Sequence, residues 1–166
     1  MLKYRMVMVV LLTLLFIAYS VNAKEIKGAR VVKIIDGDSI VVSAGTQNIE
    51  IRLWGIDTPE YRQPFSKAAK KLTKRLLQDQ TVDLLVKDID KYGRVVAMVN
   101  MANGENVNEL LVKRGYAWVH VYYCKESVCD KWRDYQKAAN KKKLGFWREP
   151  DPVAPWIWKK KHKRRW

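Results

Sequence analysis

The sequence predicts an α+β domain in which a small five-stranded β-barrel carries three α-helices. Three observations predict it. Apolar runs between Ala29 and Leu53 are separated only by turn residues, one amphipathic helical stretch divides them from two further strand-like runs, and helical patterns complete the folded part. With 166 residues, 48% of them hydrophobic and 11% aromatic, the chain is too apolar for a disordered polycation and suits one domain with appendages.

Val31, Val32, Ile34 and Ile35 lead into Asp36-Gly37-Asp38, a turn signal, and Ile40, Val41 and Val42 follow. A second turn at Gly45-Thr46-Gln47-Asn48 precedes Ile49, Ile51 and Leu53, which alternate with Glu50 and Arg52 as a half-buried strand requires. Phe65, Ala69, Leu72, Leu76 and Leu77 recur at helical spacing opposite Lys67, Lys70, Lys71, Lys74 and Arg75, which predicts a helix over 64–78. Strands are expected over 81–86 and 94–101, joined through Asp88 to Gly93. Asn106 with Glu109 three residues on reads as a capping box, Gly115 ends that second helix, 116–121 is extended, and a third helix covers 127–142. Strands joined by turns alone argue against a doubly wound parallel sheet. Five strands with a helix between the third and fourth suit a closed barrel of the oligonucleotide-binding kind.

Two appendages flank residues 24–149. Lys3 and Arg5 precede an apolar run from Met6 to Tyr19 and then Ser20-Val21-Asn22-Ala23, the pattern of a signal peptide cut after Ala23. That run is shorter than the ~20 residues a membrane-spanning helix needs. The chain is thus expected to be exported, periplasmic or secreted. At the other end, prolines at 150, 152 and 155 disfavour helix and sheet, so 150–166 reads as a linker and a basic tail containing Trp156, Trp158 and Trp166. Loss of the signal segment lowers the formal net charge from +15 to +13, and six of those charges lie in the tail. Such an excess points to a polyanionic partner.

Two His and two Cys exclude a disulfide-dense scaffold and any mechanism that needs several imidazoles. The C-x4-C pair Cys124 and Cys129 reads as one small-loop disulfide, because His120 and His162 lie too far apart in sequence to complete a zinc site.

Three short segments carry unusual polar chemistry for a barrel: Asp36-Gly37-Asp38, Arg52 with Asp57-Thr58-Pro59-Glu60, and Asp90-Lys91-Tyr92-Gly93-Arg94. The five blocks Val32 to Ser39, Ile51 to Glu60, Asp90 to Arg94, Val107 to Gly115 and Leu144 to Trp147, in this order, resemble the staphylococcal (micrococcal) nuclease family. The resemblance implies an OB-fold-like barrel with three helices and a calcium-dependent, sugar-nonspecific nuclease. It further implies that Asp38 and Asp57, with the Thr58 carbonyl, bind one Ca2+, that Arg52 and Arg94 bind phosphate, and that Glu60 activates water. Lys91, Tyr92 and Tyr123 would flank the substrate. The neighbourhood of Tyr123, Val119-His120-Val121-Tyr122-Tyr123-Cys124, departs from the family pattern, with a valine where another tyrosine is expected and the cysteine pair following. Cleavage at the bond to the 5′ oxygen, leaving 3′-phosphate ends, is implied as well.

Those residue types are coherent on physical grounds. A hard cation taking oxygen ligands suits two carboxylates and a carbonyl. Arginine forks onto phosphate oxygens in a way lysine cannot reproduce, and a carboxylate outside the ligand set can orient or deprotonate water. The expected partners are DNA and RNA, single strands preferred, with no protein partner and a monomeric chain. Two rival readings are a noncatalytic nucleic-acid-binding OB-fold barrel and a cationic protein acting on anionic membranes through its tail. A descendant that had lost activity should lack at least one of Asp38, Arg52, Asp57, Glu60 and Arg94, and all five are present.

Overall fold

The computed structural model describes residues 25–162. Residues 1–24, which include the expected signal segment, and the last four residues, 163–166, lie outside the described residues. The strands are β1 (Glu25–Ile34), β2 (Ser39–Ala44), β3 (Gln47–Leu53), β4 (Ile56–Asp57), β5 (Thr81–Ile89), β6 (Val95–Met101) and β7 (Trp118–Val119). The helices are α1 (Ser66–Leu77), α2 (Val107–Lys113), α3 (Val128–Lys141) and α4 (Pro155–Lys161), with a 3-10 turn over Gly145–Arg148.

Five strands close a barrel in the order β1-β2-β3-β6-β5, and β5 returns to β1. Every pairing is antiparallel except β3 with β6, where Ile51, Arg52 and Leu53 face Val95, Val96 and Ala97. The expected barrel is therefore present. Alternation along the strands sends Ala29, Val31, Ile40, Val42, Ile51, Leu53, Val82, Leu84, Ala97 and Val99 into one dry interior. A two-residue ladder pairs Ile56 with Val119 and Asp57 with Trp118, so only two residues of the extended stretch expected over 116–121 form a strand.

Helix α1 starts two residues later than its periodicity predicts, because Phe65 takes a left-handed conformation with φ 67. Its buried Thr73 donates to the Gly37 carbonyl at 2.6 Å and ties the helix to the first acidic turn. Gly37 is required there, since a Cβ would stand 2.6 Å from Thr58 Oγ1. At the start of α2 the Asn106 side chain accepts from Glu109 N–H at 2.9 Å. The reciprocal half of the capping box is not made, because the Glu109 carboxylate turns to Lys113 at 2.7 Å and Lys131 at 3.2 Å. The segment Leu144 to Trp147 docks on the end of α2, where Phe146 N–H donates to the Gly115 carbonyl.

The helix count needs correction, since four α-helices rather than three stand among the described residues. Helix α4 occupies a segment expected to be tail. Pro155 occupies the first turn, where its missing N–H costs nothing and its fixed φ suits a helix. The prolines at 150 and 152 do precede a non-helical connection.

Candidate active site

The Asp36-Gly37-Asp38 turn joins β1 to β2, and Asp38 is buried at the barrel's end. Its Oδ2 accepts from the Thr58 N–H at 2.6 Å and from the Thr58 hydroxyl at 2.7 Å. Ser39 pairs with Arg52 across β2 and β3, which brings the arginine beside the turn. The guanidinium forks, with one nitrogen 3.0 Å from Asp38 Oδ1 and the other 2.6 Å from Asp57 Oδ1. Asp57 is held by the β4 ladder against Trp118. The structure thus collects Asp38, Arg52, Asp57 and Thr58, residues up to twenty positions apart, into one buried cluster.

Three carboxylates crowd this cluster around a single guanidinium. Burial, and then the neighbouring charge of Asp38, raise the Asp57 pKa to about 7. The same two causes raise Asp36, whose carboxylate accepts from Asp38 N–H, to about 6. For Arg52 burial opposes the charge, yet Asp38 and Asp57 outweigh it and keep the pKa above its ordinary value. Negative charge is under-compensated here, which is the donor chemistry a divalent cation relieves. Among the described residues no three acidic, histidine or cysteine side chains form a ready-made metal cage. The two carboxylates, a carbonyl and solvent make up the set that fits a hard ion.

Glu60 lies on the loop between β4 and α1 and is partly exposed. Its Oε1 stands 2.7 Å from Lys159 Nζ on α4. Its backbone N–H donates to Gln63 Oε1 at 2.9 Å, and Gln63 Nε2 donates to the Val153 carbonyl at 2.7 Å. A buried glutamine therefore clips the Glu60 loop to the segment that leads into α4.

Arg94 immediately precedes β6, the parallel neighbour of the strand that carries Arg52, and its own partners are other acids. Its Nε and one terminal nitrogen bond Asp90 Oδ2 at 2.8 and 2.7 Å, and the other terminal nitrogen is 3.9 Å from Glu50. No hydrogen bond or ion pair among the described residues joins it to Asp38, Asp57 or Glu60. Hydrogen bonds from Arg94 and Tyr92, together with the Arg94 charge, outweigh burial and hold the Asp90 carboxyl below its ordinary pKa. Tyr92 is exposed beside both Lys91, whose Nζ is 5.1 Å from the ring centre, and Arg94.

Tyr123 is exposed and packs on His120 with ring centres 4.5 Å apart, while His120 meets Trp156 of α4 at 5.0 Å. Burial, then the charges of Arg52 and Lys159, depress the His120 pKa. Cys124 and Cys129 form a disulfide with Cα atoms 5.6 Å apart, closing the loop beneath this aromatic shelf. Trp54, Trp132 and Trp147 are buried, and Trp118 lies at the rim against Phe146, Trp147 and Trp156.

Asp36, Gln63 and Lys159 were not singled out from sequence. Asp36 lay inside a recognised acidic turn. Lys159 had no distinguishing mark within a run of lysines, and Gln63 none at all.

A barrel of this kind with a buried carboxylate–guanidinium cluster at one end carries groups suited to a phosphodiester. Comparison with known proteins narrows this to a family. The profile of the staphylococcal nuclease homologue family matches residues 50–149. An uncharacterized endonuclease of Escherichia coli is 36% identical over 148 residues, covering 89% of this chain and 94% of its own. A micrococcal nuclease of Shigella flexneri is 35% identical over 141 residues, 80% of each chain. A staphylococcal-like nuclease, CAN1, of Arabidopsis thaliana is 35% identical over 114 residues, 69% of this chain and 34% of that protein. The chain belongs to the staphylococcal nuclease family and is a nuclease, a hydrolase whose substrates are nucleic acids.

Proposed function

We propose that the chain is an exported endonuclease that uses one calcium ion to hydrolyse DNA and RNA, leaves 3′-phosphate ends, prefers single strands and acts as a monomer. The observation that carries this reading is the buried cluster in which Arg52 bridges Asp38 and Asp57, with Glu60 on the loop that follows Asp57. Asp38, Asp57 and the Thr58 carbonyl are the residues that would hold the ion. When bound, it would supply positive charge to a non-bridging phosphate oxygen.

The chain's own residues do the rest. The Arg52 guanidinium has the forked donor geometry to bind phosphate oxygens in pairs, and a cation held by Asp38 and Asp57 would take over the carboxylates it now bridges. Arg94, exposed enough to turn from Asp90 and Glu50, binds the same phosphate from the β6 side. Such positioned donors stabilise the charge that develops as water attacks, and loss of one typically costs about a hundredfold or more in rate. Glu60 accepts the proton of the attacking water. The new P–O bond forms as the bond to the 5′ oxygen breaks; that oxygen takes a proton from solvent to leave as a 5′-hydroxyl, and Glu60 gives its proton back to solvent. Lys91, Tyr92 and Tyr123 offer cationic and aromatic surface to the strand, which suits unpaired bases. Export is supported by the basic start, apolar run and small residues before Ala23, and by a disulfide of the kind found in oxidising compartments.

The test is incubation of the purified chain with single-stranded DNA, duplex DNA and RNA, in calcium and then in chelator, with the product ends mapped. Calcium-dependent cleavage of all three substrates to 3′-phosphate ends is expected. Cleavage that survives chelation, or that leaves 5′-phosphates, would overturn the calcium and product assignments.

A further inference from the structure

Helix α4 lies outside the matched family profile, which ends at residue 149, yet it reaches the site at several points. Val153 accepts a hydrogen bond from Gln63, the same side chain that binds the Glu60 backbone. Ala154 and Pro155 are buried, and Trp156 packs edge-on against Trp118 with centres 6.0 Å apart as well as on His120. Anchored in this way, the helix delivers Lys159 Nζ to within 2.7 Å of Glu60 Oε1. Glu60 Oε2 carries no hydrogen bond among the described residues.

We propose that Lys159 is a positioning residue for Glu60: its ammonium pins one carboxylate oxygen and so aims the other at the attacking water. Glu60 sits on a loop with a partly exposed side chain and would otherwise sample several rotamers. A charge-assisted hydrogen bond from a helix held at two places removes that freedom. The lysine leaves the second oxygen open, as a base needs. The catalytic unit thus extends past the barrel to a C-terminal helix, and the Trp156 and Gln63 contacts set the register in which that helix presents its lysine.

This proposal rests on Glu60 acting on water, and the experiment separates the two. Steady-state cleavage of single-stranded DNA is compared for the full chain and its Lys159→Met, Lys159→Arg, Glu60→Gln and Glu60→Gln/Lys159→Met variants, with thermal midpoints recorded. Lys159→Met is expected to lower kcat about tenfold, part of the ~10²–10⁴ that a general base supplies, with KM within about twofold. Lys159→Arg restores most of the rate. In the Glu60→Gln background Lys159→Met costs nothing further, because the two act as a unit. An equal loss in both backgrounds would show that the lysine acts on substrate and would overturn the proposal. So would an unchanged kcat, or a raised one, which would make the ion pair a block on the site. A Glu60→Gln variant as fast as the parent would remove the role of Glu60 itself.

Discussion

Arg52→Met is the perturbation with the largest consequence that can be worked from the structure. It removes a guanidinium that sits 3.0 Å from one buried carboxylate and 2.6 Å from another, and leaves Asp38 and Asp57 facing each other, each 5% exposed. Breaking a buried pair from one side costs about 3–5 kcal/mol. For a chain of this size that lowers the thermal midpoint on the order of 10 °C. The cost depends on pH with a definite sign. An acid whose folded pKa lies above its unfolded value binds more protons folded than unfolded, so stability falls as pH rises between the two. Asp57 starts from about 7 with Arg52 in place, and loss of the arginine pushes it higher. Going from pH 5 to pH 8 therefore adds at most about 1.4 kcal/mol to the destabilisation, because pH 8 lies about one unit above the parent's pKa and a variant Asp57 pushed beyond that takes up a proton. At pH 5 Asp57 is protonated in parent and variant alike, and the destabilisation is smaller by that amount. The assay is urea unfolding of parent and variant at pH 5 and 8, with and without calcium. Calcium at about a hundred times its Kd should return about 2.7 kcal/mol at pH 8. A destabilisation of the same size at both pH values would refute the argument that unpaired buried charge is its cause.

Other outcomes follow from the same geometry. Calcium binding should weaken as pH falls from 8 to 5, because the ligand Asp57 at about 7 must lose its proton, and titration calorimetry in two buffers of different ionisation enthalpy should show proton release near pH 6. Gly145→Ala should destabilise by ~2 kcal/mol or more in thermal unfolding, since its Cβ would overlap the Gly115 carbonyl where Phe146 docks and φ is +54. Truncation after Pro155 should reduce kcat through removal of Lys159. It should also flatten the dependence of binding on salt, by up to about 0.9 units of log-log slope for each phosphate the tail no longer neutralises. Filter binding at several salt concentrations measures that slope.

Much of the fold was legible because its signals are local. The turn at Asp36 to Asp38, the alternation from Ile49 to Leu53 and the basic-and-apolar faces of 64–78 each follow from the geometry of a few successive residues. Boundaries moved where a single backbone conformation intervened, as at Phe65. The reading of 150–166 failed at Pro155, because proline disfavours a helix interior and suits its first turn, and no local rule tells which position it will hold.

By itself the sequence determined the barrel's apolar alternation, the identity of the acids and arginines, and the cysteine spacing, because residue chemistry and short-range periodicity are properties of the chain. Only the tertiary structure decided which charges meet. The pairing of β2 with β3 placed Arg52 on Asp38, the short β4–β7 ladder placed Asp57 on the other side of the fork, and the docking of α4 chose Lys159 for Glu60 out of a run of near-identical lysines. Electrostatic energy depends on distances of a few ångströms and on exclusion of water, and neither exists until strands remote in sequence close the barrel.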